Sequence, residues 1–171
     1  ISMVSLPDFD PNDRPKLVKN SKPSDSALFN RAVQGLYELG STFKIFTVAK
    51  ALELELVGPE TQLEFPNRMK IMGVLVKDDH YKGPILNVAN VISQSSNVGT
   101  AILASKIGKE HQINMLRTLG LLEPTELELV EAGSIKPLKP RKWTDISTVT
   151  ISFGYGLSVS PLHLAVAYAS L

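Results

Sequence analysis

The sequence predicts one α+β domain, mainly helical, with a single strand at its start. Three observations carry this. Apolar residues recur at helical spacing in segments that close on glycine or open on a capping residue, and only the first six residues read as a strand. The length of 171 residues suffices for one domain with a real core but not for two ordinary ones.

Ile1 to Leu6 is a short apolar, partly alternating run stopped by Pro7, the pattern of a strand. From Pro7 to Ser26 four prolines stand among Asp, Asn, Lys and Ser, which favours turns and extended loop. Gly40 to Leu56 carries Phe43, Ile45, Phe46, Val48, Ala49, Leu52 and Leu56, a set too broad for one stripe and closed by Gly58-Pro59. It predicts a largely buried helix with Ser41 in its first turn. Gly58 to Gly83 mixes Gly and Pro with β-like runs such as Met72 to Val76, and a loop or small hairpin is expected there. Asn87 to Ser93 reads as one or two helical turns, and Asn97 to Ile107 as a helix stopping at Gly108. Lys109 to Leu119 repeats apolar residues at Ile113, Leu116 and Leu119 before Gly120, as a short amphipathic helix does. Ser160-Pro161 supplies an N-cap and a first-position proline for an apolar helix over Leu162 to Leu171.

Apolar residues make up 43% and charged residues 20%, so disorder and fibrous repeats are not indicated. Net charge is +1 with Lys and Arg scattered, which argues against nucleic acid as a partner. The absence of cysteine excludes thiol chemistry and Cys-ligated metal. His80, His111 and His163 have no ligand spacing, so neither a metal nor another cofactor is expected. Gly154-x-Gly156 lacks the third glycine of a dinucleotide fingerprint and reads as a structural turn. No Gly-x-Ser-x-Gly elbow occurs. No apolar run reaches the roughly 18 residues that span a bilayer.

Ser41 and Lys44 are three apart, so on a helix they share a face and can meet. A serine hydroxyl is a weak nucleophile until a base takes its proton, and a lysine serves only if burial lowers its pKa. Phe43 and Phe46 flank Lys44 and favour such burial. The helix N-terminus brings backbone N–H groups towards Ser41, where an oxyanion needs stabilising. Spacing alone proves little, because about one Ser-x-x-Lys match arises by chance in a chain of this composition. Ser41 or Thr42 capping a helix, and Ser95 to Asn97 forming a turn, are the plain readings.

The surrounding words lift the match above chance. Asn30-Arg31-Ala32, Tyr37-Glu38-Leu39-Gly40-Ser41-Thr42-Phe43-Lys44, Gln94-Ser95-Ser96-Asn97-Val98-Gly99 and Phe153-Gly154-Tyr155-Gly156-Leu157-Ser158-Val159-Ser160-Pro161 resemble the monofunctional, class B penicillin-binding proteins, and look closest to the septal, cell-division type. Met3-Val4-Ser5-Leu6-Pro7 with Asp10-Pro11-Asn12 resembles their first transpeptidase strand and the loop after it. The resemblance implies the penicillin-binding protein and serine β-lactamase-like transpeptidase fold, here its helical lobe plus one N-terminal strand of the sheet. It implies that Ser41 is acylated, Lys44 is the general base, Ser95 relays protons and Asn97 holds the substrate amide, so that Ser41, Ser95 and Asn97 also bind substrate. The implied substrate is a peptidoglycan stem peptide ending in D-Ala-D-Ala, with β-lactam antibiotics as mimics and cell-division membrane proteins as partners. The family's membrane anchor would hold the domain on the periplasmic side of the plasma membrane.

There are two departures. Leu39 stands where the family usually has proline, and no Lys-Ser/Thr-Gly occurs anywhere. By the resemblance, residues 1–171 are then a partial transpeptidase domain without the N-terminal anchor and pedestal or the C-terminal strands, and are expected to be inactive alone. The rival readings are a serine β-lactamase, which would need a deacylating water and a positioned base, and a β-lactam sensor or inactive scaffold.

Overall fold

The computed structural model describes every residue except Ile1, Leu17, Val18, Asn20 and Glu126. In chain order the elements are α1 (Arg31–Gln34), β1 (Tyr37–Glu38), α2 (Lys44–Glu53), β2 (Gln62–Glu64), β3 (Arg68–Ile71), β4 (Val74–Lys77), β5 (Ile85–Asn87), α3 (Val88–Ser93), α4 (Asn97–Thr118), α5 (Asp145–Ser152), β6 (Ser158–Val159) and α6 (Pro161–Ala169). Short 3-10 turns cover Pro23–Asp25 and Gly40–Phe43. The chain forms two compact units, one of Ile1–Tyr37, Leu119–Leu138 and Ser158–Leu171, the other of Glu38–Thr118 and Lys139–Leu157.

The second unit holds the hydrophobic core and every candidate residue. Val48 and Ala51 of α2, Val88 and Val91 of α3, Val98, Ala101, Leu103 and Ile107 of α4, and Val149 of α5 form one buried cluster with Leu63, Phe65, Ile71, Val76 and Leu86 of the hairpin region. In α2, Lys44, Thr47, Val48 and Ala51 bury on one stripe, Phe46 is buried off it, and Ile45, Ala49 and Leu52 are half-buried, in keeping with the broad apolar pattern. Its first turn departs from the expectation: Gly40–Phe43 winds as a 3-10 turn, and the α-helix begins at Lys44. Gly108, at φ 77° and ψ 164°, breaks α4 into stretches 97–107 and 109–118, where the glycine predicts the stop.

The stretch expected to be a loop or small hairpin contains two antiparallel pairs. β2 pairs with β5, Gln62 opposite Asn87, and β3 pairs with β4 from Arg68 opposite Lys77 to Ile71 opposite Val74. That register makes Met72 and Gly73 the two turn residues, at φ 48° and 91°, the positive pair a two-residue hairpin turn demands. Met72 therefore sits in the turn and not in the run Met72 to Val76 expected from its apolar character. A helix nothing in the apolar spacing indicated is α5, whose β-branched sequence Asp-Ile-Ser-Thr-Val-Thr-Ile-Ser favours strand. Tertiary burial of Thr148, Val149, Ile151 and Ser152 overrides that preference, and Thr144 with Ser147 forms a capping box at its start.

In the first unit, Ser160 caps α6 as expected by accepting from His163 N, with Pro161 at the first helical position. His163 is buried, its Nδ1 2.7 Å from Ser160 Oγ and its Nε2 3.0 Å from Glu123 O, and burial pushes its pKa below the ordinary histidine value. It is a satisfied core histidine. The strand expected over Ile1 to Leu6 is corrected: Ile1 lies outside the described residues, and residues 2–6 form no strand. A strand exists only by pairing, and with no strand paired to it among the described residues this apolar run leaves Val4 78% and Leu6 65% exposed. Among the described residues no helix is long and apolar enough to cross a membrane.

Candidate active site

The site is assembled from three places in the second unit: the turn before α2, the turn between α3 and α4, and the end of β4. Ser41 occupies the 3-10 turn, exposed, with Lys44 N donating to Ser41 O. Leu39 takes φ −85°, near the proline range, so leucine keeps the backbone path that a proline would impose. Thr42 Oγ1 donates to Leu39 O at 2.8 Å and tightens the same turn.

The loop after α5 braces this turn. Gly154 O accepts from Gly40 N at 3.2 Å, and Glu38 Oε1 accepts from Gly156 N at 2.7 Å. Gly154 sits at φ +90°, and a Cβ there would lie 2.0 Å from Gly40 O and 2.4 Å from Gly40 N. Neither atom can move aside alone, because both belong to the backbone next to Ser41. Gly154→Ala is therefore expected to cost about 2 kcal/mol or more, from the left-handed backbone and the overlap together. In a protein of this size or larger, the fall in Tm is then several degrees, read by a thermal melt beside the unsubstituted protein.

Lys44 is 2% exposed. Its Nζ donates to Ser95 O at 2.5 Å and to Ser95 Oγ at 2.8 Å. Burial lowers the Lys44 pKa to about 8, against the upward pull of the Asp78 and Asp79 carboxylates. At pH 7 about a tenth of Lys44 is then free amine, whereas an ordinary lysine offers almost none. Ser95 is exposed and held at φ 55°, a left-handed conformation that serine rarely takes. Such a conformation persists only where the surroundings fix it.

Those surroundings are the hairpin end. Asn97 Nδ2 donates to Lys77 O at 3.0 Å, Ser96 Oγ donates to Asp78 Oδ2 at 2.7 Å, and Val98 N donates to Asp78 Oδ1 at 2.9 Å. Asn97 Oδ1 accepts no hydrogen bond among the described residues. The fold thus brings Lys44 and Ser95, 51 positions apart, into direct contact, with Asn97 two residues further on. Ser41 lies one turn ahead of Lys44, but among the described residues Ser41 Oγ does not bond to Lys44 Nζ. Asp78 was not singled out in the sequence. Its partners are 18 and 20 positions away, so no local capping pattern announces it. Among the described residues no cluster of His, Asp and Glu could hold a metal ion.

The family model described as the penicillin binding protein transpeptidase domain matches residues 1–171. The chain is 37% identical over 171 residues to a probable peptidoglycan D,D-transpeptidase FtsI of Caulobacter vibrioides and 35% identical over 173 residues to peptidoglycan D,D-transpeptidase FtsI of Escherichia coli K12. Each alignment covers 100% of this chain and 28% of the relative, so the chain spans less than a third of their length. Among solved structures, the transpeptidase domain of Burkholderia pseudomallei penicillin-binding protein 3 superposes with a TM-score of 0.75 at 35% identity, covering 82% of this chain and 43% of that one. Penicillin-binding protein 3 of Mycobacterium tuberculosis, complexed with aztreonam, gives 0.77 at 31% identity, covering 85% and 33%. By matched sequence over its whole length and by fold, the chain belongs to the penicillin-binding protein transpeptidase domain family.

Proposed function

We propose that this chain carries the nucleophile half of a peptidoglycan D,D-transpeptidase of the septal, cell-division type. The observation that supports it most is Lys44: a buried lysine with its pKa drawn down to about 8, bonded to Ser95 and one helical turn after Ser41. Unprotonated Lys44 takes the Ser41 hydroxyl proton while Ser41 Oγ attacks the carbonyl carbon of the penultimate D-alanine. The amide C–N bond breaks, and the departing D-alanine amine receives that proton through Lys44 and Ser95. The acyl ester then passes to an amine of a neighbouring stem peptide, whose lost proton returns the site to its starting state. Asn97 offers Oδ1 to a substrate N–H.

A β-lactam carries the same acyl group in a ring, so ring opening leaves it esterified to Ser41. The full-length protein is placed on the periplasmic side of the plasma membrane, anchored by a segment outside these residues and assembled with cell-division membrane proteins. What supports this part of the reading is the likeness to proteins named peptidoglycan D,D-transpeptidase FtsI.

Three reaction classes separate in one experiment on the full-length protein. A transpeptidase releases D-alanine continuously from a D-Ala-D-Ala stem peptide given an acceptor amine, and retains one penicillin per molecule. Continuous penicillin hydrolysis would instead mark a β-lactamase, and retention without D-alanine release a sensor. Because Lys44 must shed its proton before it can act, the acylation rate is expected to rise with pH through a limb near 8, fully developed above it and falling tenfold per unit below. A stopped-flow series with a chromogenic β-lactam between pH 6 and 9 reads it.

A further inference from the structure

We propose that Asp78 is a positioning residue for this chemistry: from the end of the β3–β4 hairpin it anchors the turn that presents Ser95 to Lys44, and its carboxylate brings a negative charge to that turn. The inference rests on the reading of Ser41 and Lys44 as the reacting pair.

Asp78 is buried, and both carboxylate oxygens are committed to the start of α4, one to Ser96 Oγ at 2.7 Å and one to Val98 N at 2.9 Å. Its own N–H donates to Asn67 O at 3.0 Å, which ties the carboxylate to the hairpin rather than to α4 itself. The residue before it, Lys77, takes Asn97 Nδ2 on its carbonyl. Ser96 passes the anchor inward, its Oγ accepting from Gly99 N at 2.9 Å and its backbone oxygen from Thr100 Oγ1 at 2.7 Å. Ser96 N is meanwhile fixed to Val91 O, and Ser95 N to Ile92 O. Residues on both sides of Ser95 are therefore clamped, and Ser95 alone is thrown into the left-handed conformation with its Oγ on Lys44. An ordinary N-cap would satisfy the helix start from the adjacent residue. Ser96 does this here by accepting from Gly99 N, and Asp78 adds a second cap from a separate hairpin, taking Val98 N and bringing a negative charge with it.

That charge has a consequence for Lys44. Burial acts on it most and favours the amine, while the Asp78 carboxylate, and after it Asp79, favours the ammonium. Asp78 thus holds up the proton affinity of a lysine that burial lowers.

Second-order acylation by a chromogenic β-lactam, measured from pH 6 to 9 on the full-length protein, tests both halves. Asparagine can donate to Ser96 Oγ and accept from Val98 N, so Asp78→Asn keeps the anchor and removes the charge, and the acid limb is expected to move to lower pH. Asp79→Asn is expected to move it the same way but less. Ser96→Ala loosens the anchor and keeps the charge, so its rate falls with the limb in place. Asp78→Ala loses both, with a fall on the order of 10²-fold, the scale of an ångström's misplacement of a reacting group. If Asp78→Ala does not fold, Asp78→Asn and Ser96→Ala decide. A limb that stays put in Asp78→Asn overturns the proposal and leaves Asp78 a structural cap, and so does a wild-type rate in Ser96→Ala. If the unsubstituted protein takes up no β-lactam, the reading of Ser41 fails instead. Competitive acetylation of Lys44 across pH then still compares its proton affinity in Asp78→Asn and the parent.

Discussion

Ser41→Ala is expected to leave the full-length protein unable to retain penicillin, with acylation reduced by on the order of 10⁴-fold or more. The size follows from what is removed. Without the hydroxyl there is no atom to form the ester, and the helix start and Lys44 have nothing to activate. Two serines stand close to Lys44, and in the structure it is Ser95 whose hydroxyl the amine holds. The substitution therefore separates them sharply. Ser95→Ala removes a proton relay and one partner of Lys44, and it should slow acylation by on the order of 10²-fold while penicillin is still taken up. If Ser41→Ala labels normally and Ser95→Ala does not, the roles are reversed. Covalent labelling with a fluorescent penicillin, quantified on a denaturing gel, reads both variants side by side.

Lys44→Met and Lys44→Arg are both expected to slow acylation by about 10²–10⁴-fold, the range that general-base catalysis contributes. Methionine fills the buried channel of the lysine stem but carries no basic nitrogen. Arginine keeps the positive charge and cannot give it up near neutral pH, so it isolates proton transfer from electrostatics. Its larger planar head must also fit beside Ser95 O and Oγ, where Lys44 Nζ makes bonds of 2.5 and 2.8 Å. Retained thermal stability in Lys44→Met keeps a loss of rate from being read as unfolding. A near-native rate in Lys44→Arg would show that Lys44 serves only as a charge.

Much of the site was legible because its signals are local. Ser41 and Lys44 fall on one helical turn, and Ser95 and Asn97 flank a helix start, so short spacings capture them. The flanking apolar residues foretold the burial of Lys44, since Phe43 and Phe46 are both buried and meet edge to face at 5.1 Å between centroids. A glycine foretold the break at Gly108, whereas Gly154 read only as a turn and its contact with Gly40 was not legible. What escaped depends on distant partners. Asp78 meets Ser96 only through the hairpin, and α5 is helical because burial overrules its β-branched residues. The first strand failed for the converse reason: its pattern is local, but a strand is completed only by a neighbour.

The central claim is that Ser41, and not Ser95, forms the covalent bond. Peptide mapping by mass spectrometry of the full-length protein after brief exposure to penicillin tests it most directly. The account predicts one drug mass, located on the peptide containing Ser41, with the peptide containing Ser95 unmodified. Drug mass on the Ser95 peptide, or on neither in a folded protein, would contradict it.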